Sequence, residues 1–263
     1  MLGWSINLFR VRGIQLSLHV TFLLLLAYWA YQGYHDGGLA GAFWSTALIL
    51  AIFTCVVLHE LGHSLTARRF GVGVRRILLM PIGGMAEFDS IPRQPSRELL
   101  ITIAGPAVNF ALAAVLWLVV DRSSGLPDNA LPASLGELGW CLFYWNIYMG
   151  LFNLAPVFPM DGGRILRAFL AIKLPYVRAT FWAVTIGKVL AVIAAATALY
   201  FDRYLLAALF AFIFLAGEAE YRGLLRRESQ DAQWRLMMER LQTVTPTPPA
   251  AEPPPLQEPP LLK

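Results

Sequence analysis

The apolar positions of this chain fall in long uncharged runs, and those runs predict its elements. Residues 16–34, LSLHVTFLLLLAYWAYQGY, come close to the ~20 residues that cross a bilayer core. Their distal end is aromatic (Tyr28, Trp29, Tyr31, Tyr34), as at a membrane interface. Asp36-Gly37-Gly38 predicts a turn, and a second run covers 41–64. Further runs predict spans over 99–120, 138–158, 179–200 and 203–217. The stretch GVGVRRILLMPIGGMAEF is too interrupted to be a span. Its Val, Ile and Leu content, Pro81 and Gly83-Gly84 predict short strands or a hairpin, an insert of about 70–90. Residues 1–13 read as a short amphipathic lead and 121–137 as a polar turn segment. An amphipathic basic helix is expected over 218–242, and the proline-rich 243–263 cannot build a core and is expected to be disordered. The pattern predicts an all-α polytopic membrane protein. Six transmembrane helices occupy 1–217, with a small membrane-associated strand region after the second.

Composition agrees. Hydrophobic residues make up 57%, charged residues 14%, and mean hydropathy is +0.56, whereas a soluble domain carries about 25% charged residues. The net charge of +4 forms no basic face, so no nucleic-acid partner is expected; the partner is the lipid bilayer. Two cysteines, Cys55 and Cys141, make neither a disulfide framework nor a zinc ribbon. Arg10 and Arg12 before an apolar run resemble a signal peptide, but the run is long and lacks a small-residue cleavage site, so it reads as a retained span. If the N-terminus is cytoplasmic, all 21 lysines and arginines except Arg122, Lys188 and Arg203 fall in cytoplasmic segments. The positive-inside rule then places both termini in the cytoplasm. It also brings the end of the second span and the end of the fourth to the same, cytoplasmic side.

Those two ends carry the chemistry. His59 and His63 are four apart, so on a helix both imidazoles leave one face, the spacing of two ligands on one Zn²⁺. Glu60 can serve a metal-bound water as general base. A catalytic site needs a third ligand and an open position. Asp161 is the best candidate, in the segment NLAPVFPMDGGR that ends the fourth run. Pro156 and Pro159 disfavour continuous helix there, and Gly162 and Gly163 permit unusual backbone, so the span should unwind and turn Asp161 inward. Ionisable residues inside a span are costly and usually functional. Cys55, one turn before His59, reads as a small core residue, Gly62 as a site of close helix packing, and Lys188 as snorkelling or as partner to a carboxylate.

With HELGH at 59–63, GPAVN at 105–109 and NLAPVFPMDGGR at 153–164 in this order, the chain resembles the site-2 protease family of intramembrane zinc metalloproteases. The resemblance covers about 14–220. It implies one Zn²⁺ per chain held by His59, His63 and Asp161, with Glu60 activating water. It also implies regulated intramembrane proteolysis of transmembrane segments, with single-span membrane proteins as substrates. PDZ or CBS domains of some members have no room here, so the chain resembles a minimal form. A substrate helix must unwind to be cut, and its freed backbone groups need partners. Asn109, Asn153 and an edge strand of the insert are the candidates. His19, expected one turn into the first span, either faces the site or is a buried, hydrogen-bonded histidine; Asn109 and Asn153 could instead cross-link spans. A rival metalloprotease would take its third ligand from a later glutamate, but Glu87 and Glu98 lack the broken-span setting. A zinc transporter would spread polar residues through several spans, whereas here they gather at one end. Short loops point to a prokaryotic cytoplasmic membrane, and the proline-rich tail is a candidate regulator-binding segment.

Overall fold

The computed structural model describes residues 4–89, 92–121, 123–127 and 131–243. The expected disordered tail lies outside the described residues. Two units are distinguished, Met1–Tyr221 and Arg222–Lys263.

The first unit opens with a β-hairpin, β1 (Ser5–Val11) and β2 (Ile14–His19), where the apolar pattern predicts a lead and the start of a span. The difference has a local cause. Ile14-Gln15-Leu16-Ser17-Leu18-His19 alternates apolar and polar, the period of a strand, but abuts Phe22–Leu26 and merges with it in any hydropathy window. Arg12 and Gly13 both have positive φ (47° and 83°), as a two-residue hairpin turn needs. The Arg68 guanidinium donates to the Arg12 carbonyl and ties this turn to the next element.

Helix α1 (Thr21–Arg69) contains both the first and second predicted spans, interrupted at Gly37 and Gly38, which are non-helical. Gly38 has φ 61°, where a side chain is strained. The two limbs fold back on each other. A Cβ on Gly33 or Gly41 would collide with the other's carbonyl, and Ser45 Oγ donates to Trp29 O across the pair at 2.9 Å. Phe22, Ile49, Phe53 and Val56 fill the seam.

β3 (Val74–Met80) and β4 (Gly83–Phe88) lie within the expected insert. They join the N-terminal hairpin in a four-stranded sheet of order β1-β2-β3-β4, antiparallel except for the parallel β2–β3 pair. The fold is therefore mostly helical with a small sheet, as expected, but the sheet has four strands and draws two of them from the N-terminal hairpin. Ile14, Leu16 and Ile77 press on Val57, Leu61 and Leu65 of α1. That helix face is distinct from the one bearing His59 and His63, so the sheet backs the two histidines without covering them.

α2 (Pro95–Val119) follows, then α3 (Leu135–Asn153), α4 (Asp161–Ala171), α5 (Tyr176–Tyr200) and α6 (Tyr204–Thr243). α3 stops at Asn153, short of the expected 158. Leu154–Met160 is non-helical, with a cis Phe158–Pro159 bond. Its side chains are pinned: Val157 and Met160 pack with Ala191 and Ile213, Phe158 with Ala183 and Val184. The basic helix expected from 218 is a continuation of α6; beyond Arg222 it is exposed over most of its described length. Lys188 pairs with Glu218 at 2.8 Å. Among the described residues, four helices (α1, α2, α5 and α6) are long and apolar enough to cross a membrane. α3, whose side chains include Glu137 and Asn146, is not among them.

Candidate metal centre and active site

Three elements bring the site together. The second limb of α1 supplies His59 and His63, α2 packs beside it, and α4 begins with Asp161. The close approach of α1 and α2 is made by glycines. A Cβ on Gly62 would stand 2.7 Å from Ala104 O, and one on Gly105 would stand 2.8 Å from His59 Cε1 and collide with His63 Nε2. α4 is held by a similar device. A Cβ on Gly162 would strike the Leu154 and Ala155 carbonyls, and one on Gly163 would lie 2.8 Å from Phe158 N. Both glycines after Asp161 are thus required by the chain folding back over the start of α4.

The outcome is a triangle of donors. His59 Nε2 lies 3.1 Å from His63 Nε2, and Asp161 Oδ2 lies 3.3 and 3.2 Å from the two. All three residues are buried. They are the group among the described residues whose donor atoms can share a metal ion. Asp161 Oδ2 has no hydrogen-bond partner.

A zinc ion suits this geometry. Donors about 2.0–2.1 Å from a tetrahedral ion stand roughly 3.3–3.4 Å apart, close to the three edges here. The outer nitrogens are already engaged: His59 Nδ1 faces Asn109 Oδ1 at 2.5 Å and His63 Nδ1 faces Ile101 O at 2.8 Å. Both partners are acceptors, so Nδ1 carries the proton in each ring and both Nε2 lone pairs face Asp161. Two lone pairs and a buried carboxylate oxygen aimed at one point are unfavourable without a cation between them.

Glu60 follows His59 and is half-buried. Its side chain lies along β4, where a Cβ on Gly84 would sit 2.8 Å from Glu60 Cγ. Asn109 is fully buried, with its oxygen on His59 and its nitrogen on Asn146 Oδ1 at 2.8 Å, so it stands behind a histidine and not in front of the site. Asn153 donates to Met149 O in its own helix at 3.0 Å. His19 ends β2, outside any span, and its Nδ1 pairs with Thr21 Oγ1 at 2.7 Å. The structure does not bring it to the histidine pair as a residue of the first span.

Several participants escaped the sequence reading. Asn146 was legible only as an amide in an apolar run. The Ile101 carbonyl is backbone and leaves no signature. Glu98 and Arg167 lie 69 residues apart and form a buried ion pair, with Arg167 Nε and Nη2 at 2.8 and 2.5 Å from Glu98 Oε1. Arg167 Nη1 reaches Glu220 Oε1 at 3.2 Å, and its guanidinium lies over the rings of Phe158 and Tyr176. This cluster fastens α4 to α2 and α6.

Two histidines and a carboxylate that could hold one metal ion, with a glutamate adjacent, lie among helices long and apolar enough to cross a membrane; donor sets of this kind occur in zinc hydrolases. The chain belongs to peptidase family M50, whose sequence pattern matches residues 47–127 and 125–194. It is 41% identical to a zinc metalloprotease of Methanocaldococcus jannaschii over 221 residues, which is 84% of this chain and 62% of that protein. It is 29% identical to the stage IV sporulation protein FB of Bacillus subtilis over 132 residues, 50% of this chain and 43% of that one. The chain thus spans between 43% and 62% of the length of these two relatives. A solved site-2 protease from Methanocaldococcus jannaschii shares the fold at a TM-score of 0.59 and 38% identity, over 83% of this chain and 95% of that one.

Proposed function

We propose that the protein is an intramembrane zinc metalloprotease that hydrolyses peptide bonds in or near transmembrane segments of single-span membrane proteins. The observation that carries this is the convergence of His59 Nε2, His63 Nε2 and Asp161 Oδ2 within 3.3 Å of one another, with Glu60 next to them. These three residues hold one ion per chain, and bound zinc lowers the pKa of water from 15.7 toward ~7 and polarises a carbonyl.

Glu60 accepts a proton from the attacking water as the carbon–oxygen bond forms. It then delivers that proton to the amide nitrogen as the carbon–nitrogen bond breaks. His59 and His63 are kept from rotating by the acceptors on their Nδ1 atoms. The substrate must lie extended. β4, the last strand of the sheet and in contact with Glu60, offers an edge for strand addition, and Asn153 offers an amide to the freed backbone. His19, on β2 of the same sheet, is a weaker candidate for that role.

The arginine distribution supports six spans, both termini in the cytoplasm and a site open toward the cytoplasm of a prokaryotic cell. The test is Glu60→Gln, with fragments of membrane proteins compared in cells that express the wild type or the variant. The variant should retain zinc while fragments ending inside transmembrane segments vanish and their precursors accumulate. Identical fragment profiles from two zinc-loaded proteins would overturn the protease reading in favour of a zinc carrier.

A further inference from the structure

The two histidines are oriented by different means. His63 donates straight to a backbone carbonyl, Ile101 O. A carbonyl cannot reverse its polarity, so this ring has one arrangement. His59 faces Asn109, whose amide has an oxygen at one end and an NH₂ at the other. Turned over, the amide would present N–H groups to His59 Nδ1. The ring would then carry its proton on Nε2, aimed at the metal position, and could not serve as a ligand.

The Asn109 NH₂ is held away from His59 by two acceptors on α3, the weak thioether Met149 Sδ at 3.5 Å and, far more strongly, Asn146. Its Nδ2 is 2.8 Å from Leu142 O, one turn back in α3, and 3.3 Å from Cys55 Sγ on α1. Because Leu142 O can only accept, the Asn146 atom facing it is the nitrogen. Its Oδ1 is thereby turned to Asn109 Nδ2 at 2.8 Å, which turns Asn109 Oδ1 to His59. Polarity runs from a fixed carbonyl through two amides to the imidazole. Both asparagines are 0% exposed, so water cannot replace a missing partner.

We propose that Asn146 is a positioning residue for the metal centre: it acts through Asn109 to keep the metal-facing nitrogen of His59 unprotonated. This rests on the zinc reading above. It assigns α3 a share in metal binding although α3 contributes no ligand.

The test is zinc affinity of the purified full chain in detergent, by competition with a chromogenic chelator, for four proteins: wild type, Asn146→Leu, Asn109→Asp and the double variant. Leucine has the same branched heavy-atom skeleton, so its shape is the nearest apolar match while polarity is removed, and the Asn109→Asp background controls for its larger volume. Asn146→Leu should bind zinc about 10–100-fold more weakly, the usual effect of losing a ligand's supporting hydrogen bonds. A carboxylate at 109 accepts from His59 whichever way it is turned, so Asn146→Leu should cost little in the Asn109→Asp background. It should even help, because it removes the Asn146 oxygen that would face the new carboxylate. Zinc-binding wild type with an equally tight Asn146→Leu overturns the relay alone. Equal losses in both backgrounds also overturn it, since they indicate packing. Wild type that holds no zinc overturns the metal reading itself.

Discussion

Gly105 of α2 lies against the imidazoles of both His59 and His63, so closely that a methyl group there would meet the two rings at once. A second glycine, Gly84 of β4, lies against Glu60 in the same way. The proposed ligands and the proposed base are therefore each seated on backbone from a different neighbour. This separation makes metal binding and proton transfer independently testable.

Gly105→Ala should displace both rings. The expected outcome is zinc affinity reduced by at least the roughly 10–100-fold typical of disturbed ligand support. Zinc retained per chain after dialysis against a weak chelator checks this, and stoichiometric retention would show that α2 can retreat from α1.

Gly84→Ala places its new carbon 2.8 Å from Glu60 Cγ and 3.1 Å from Val56 Cγ1, away from the ligands. Zinc content should match the wild type while cleavage of a transmembrane substrate slows about 10–100-fold, the scale set by misplacing a catalytic group by a fraction of an ångström to an ångström. Joint loss of zinc and activity would contradict the division of labour between the two glycines.

Arg167→Met leaves Glu98, 1% exposed, without its counter-charge. Breaking a buried pair from one side costs about 3–5 kcal/mol. A fall in detergent unfolding midpoint is expected, and the double variant Glu98→Met, Arg167→Met should recover much of it. If the double variant is as unstable as the single one, the pair's packing, and not its charge balance, holds α4.

The proposed ligands His59, His63 and Asp161 are 102 residues apart at their extremes and would not be assembled in the unfolded chain, so zinc would bind only the native arrangement. Chelation should lower the thermal midpoint, since a ligand at 100 times its Kd contributes about 2.7 kcal/mol. Asp161→Asn should reduce the shift that chelator causes; an undiminished shift would mean that Asp161 is not a ligand.

Much of this site was legible in the sequence because its signals are local. Histidines four apart share a helix face wherever that helix lies, and two prolines end a helix before Asp161 whatever surrounds them. Hydropathy located α2, α5 and the start of α6 for the same reason, since each is one continuous apolar helix. The N-terminal hairpin was hidden by its neighbour: six alternating residues run into an apolar helix, and their strand character is expressed where β1 flanks them on one side and β3 pairs with β2 on the other. That pairing joins residues about 60 positions apart, and no spacing rule reaches so far.

Tertiary structure alone decided how the ligands are held. The identity of the atom behind each imidazole, an amide oxygen for His59 and a backbone carbonyl for His63, depends on which turn of α2 meets α1. The polarity of the Asn109 amide depends in turn on a third helix. Sequence determines which groups can donate or accept; only packing determines which of them meet, because a hydrogen bond is made or lost within a few tenths of an ångström.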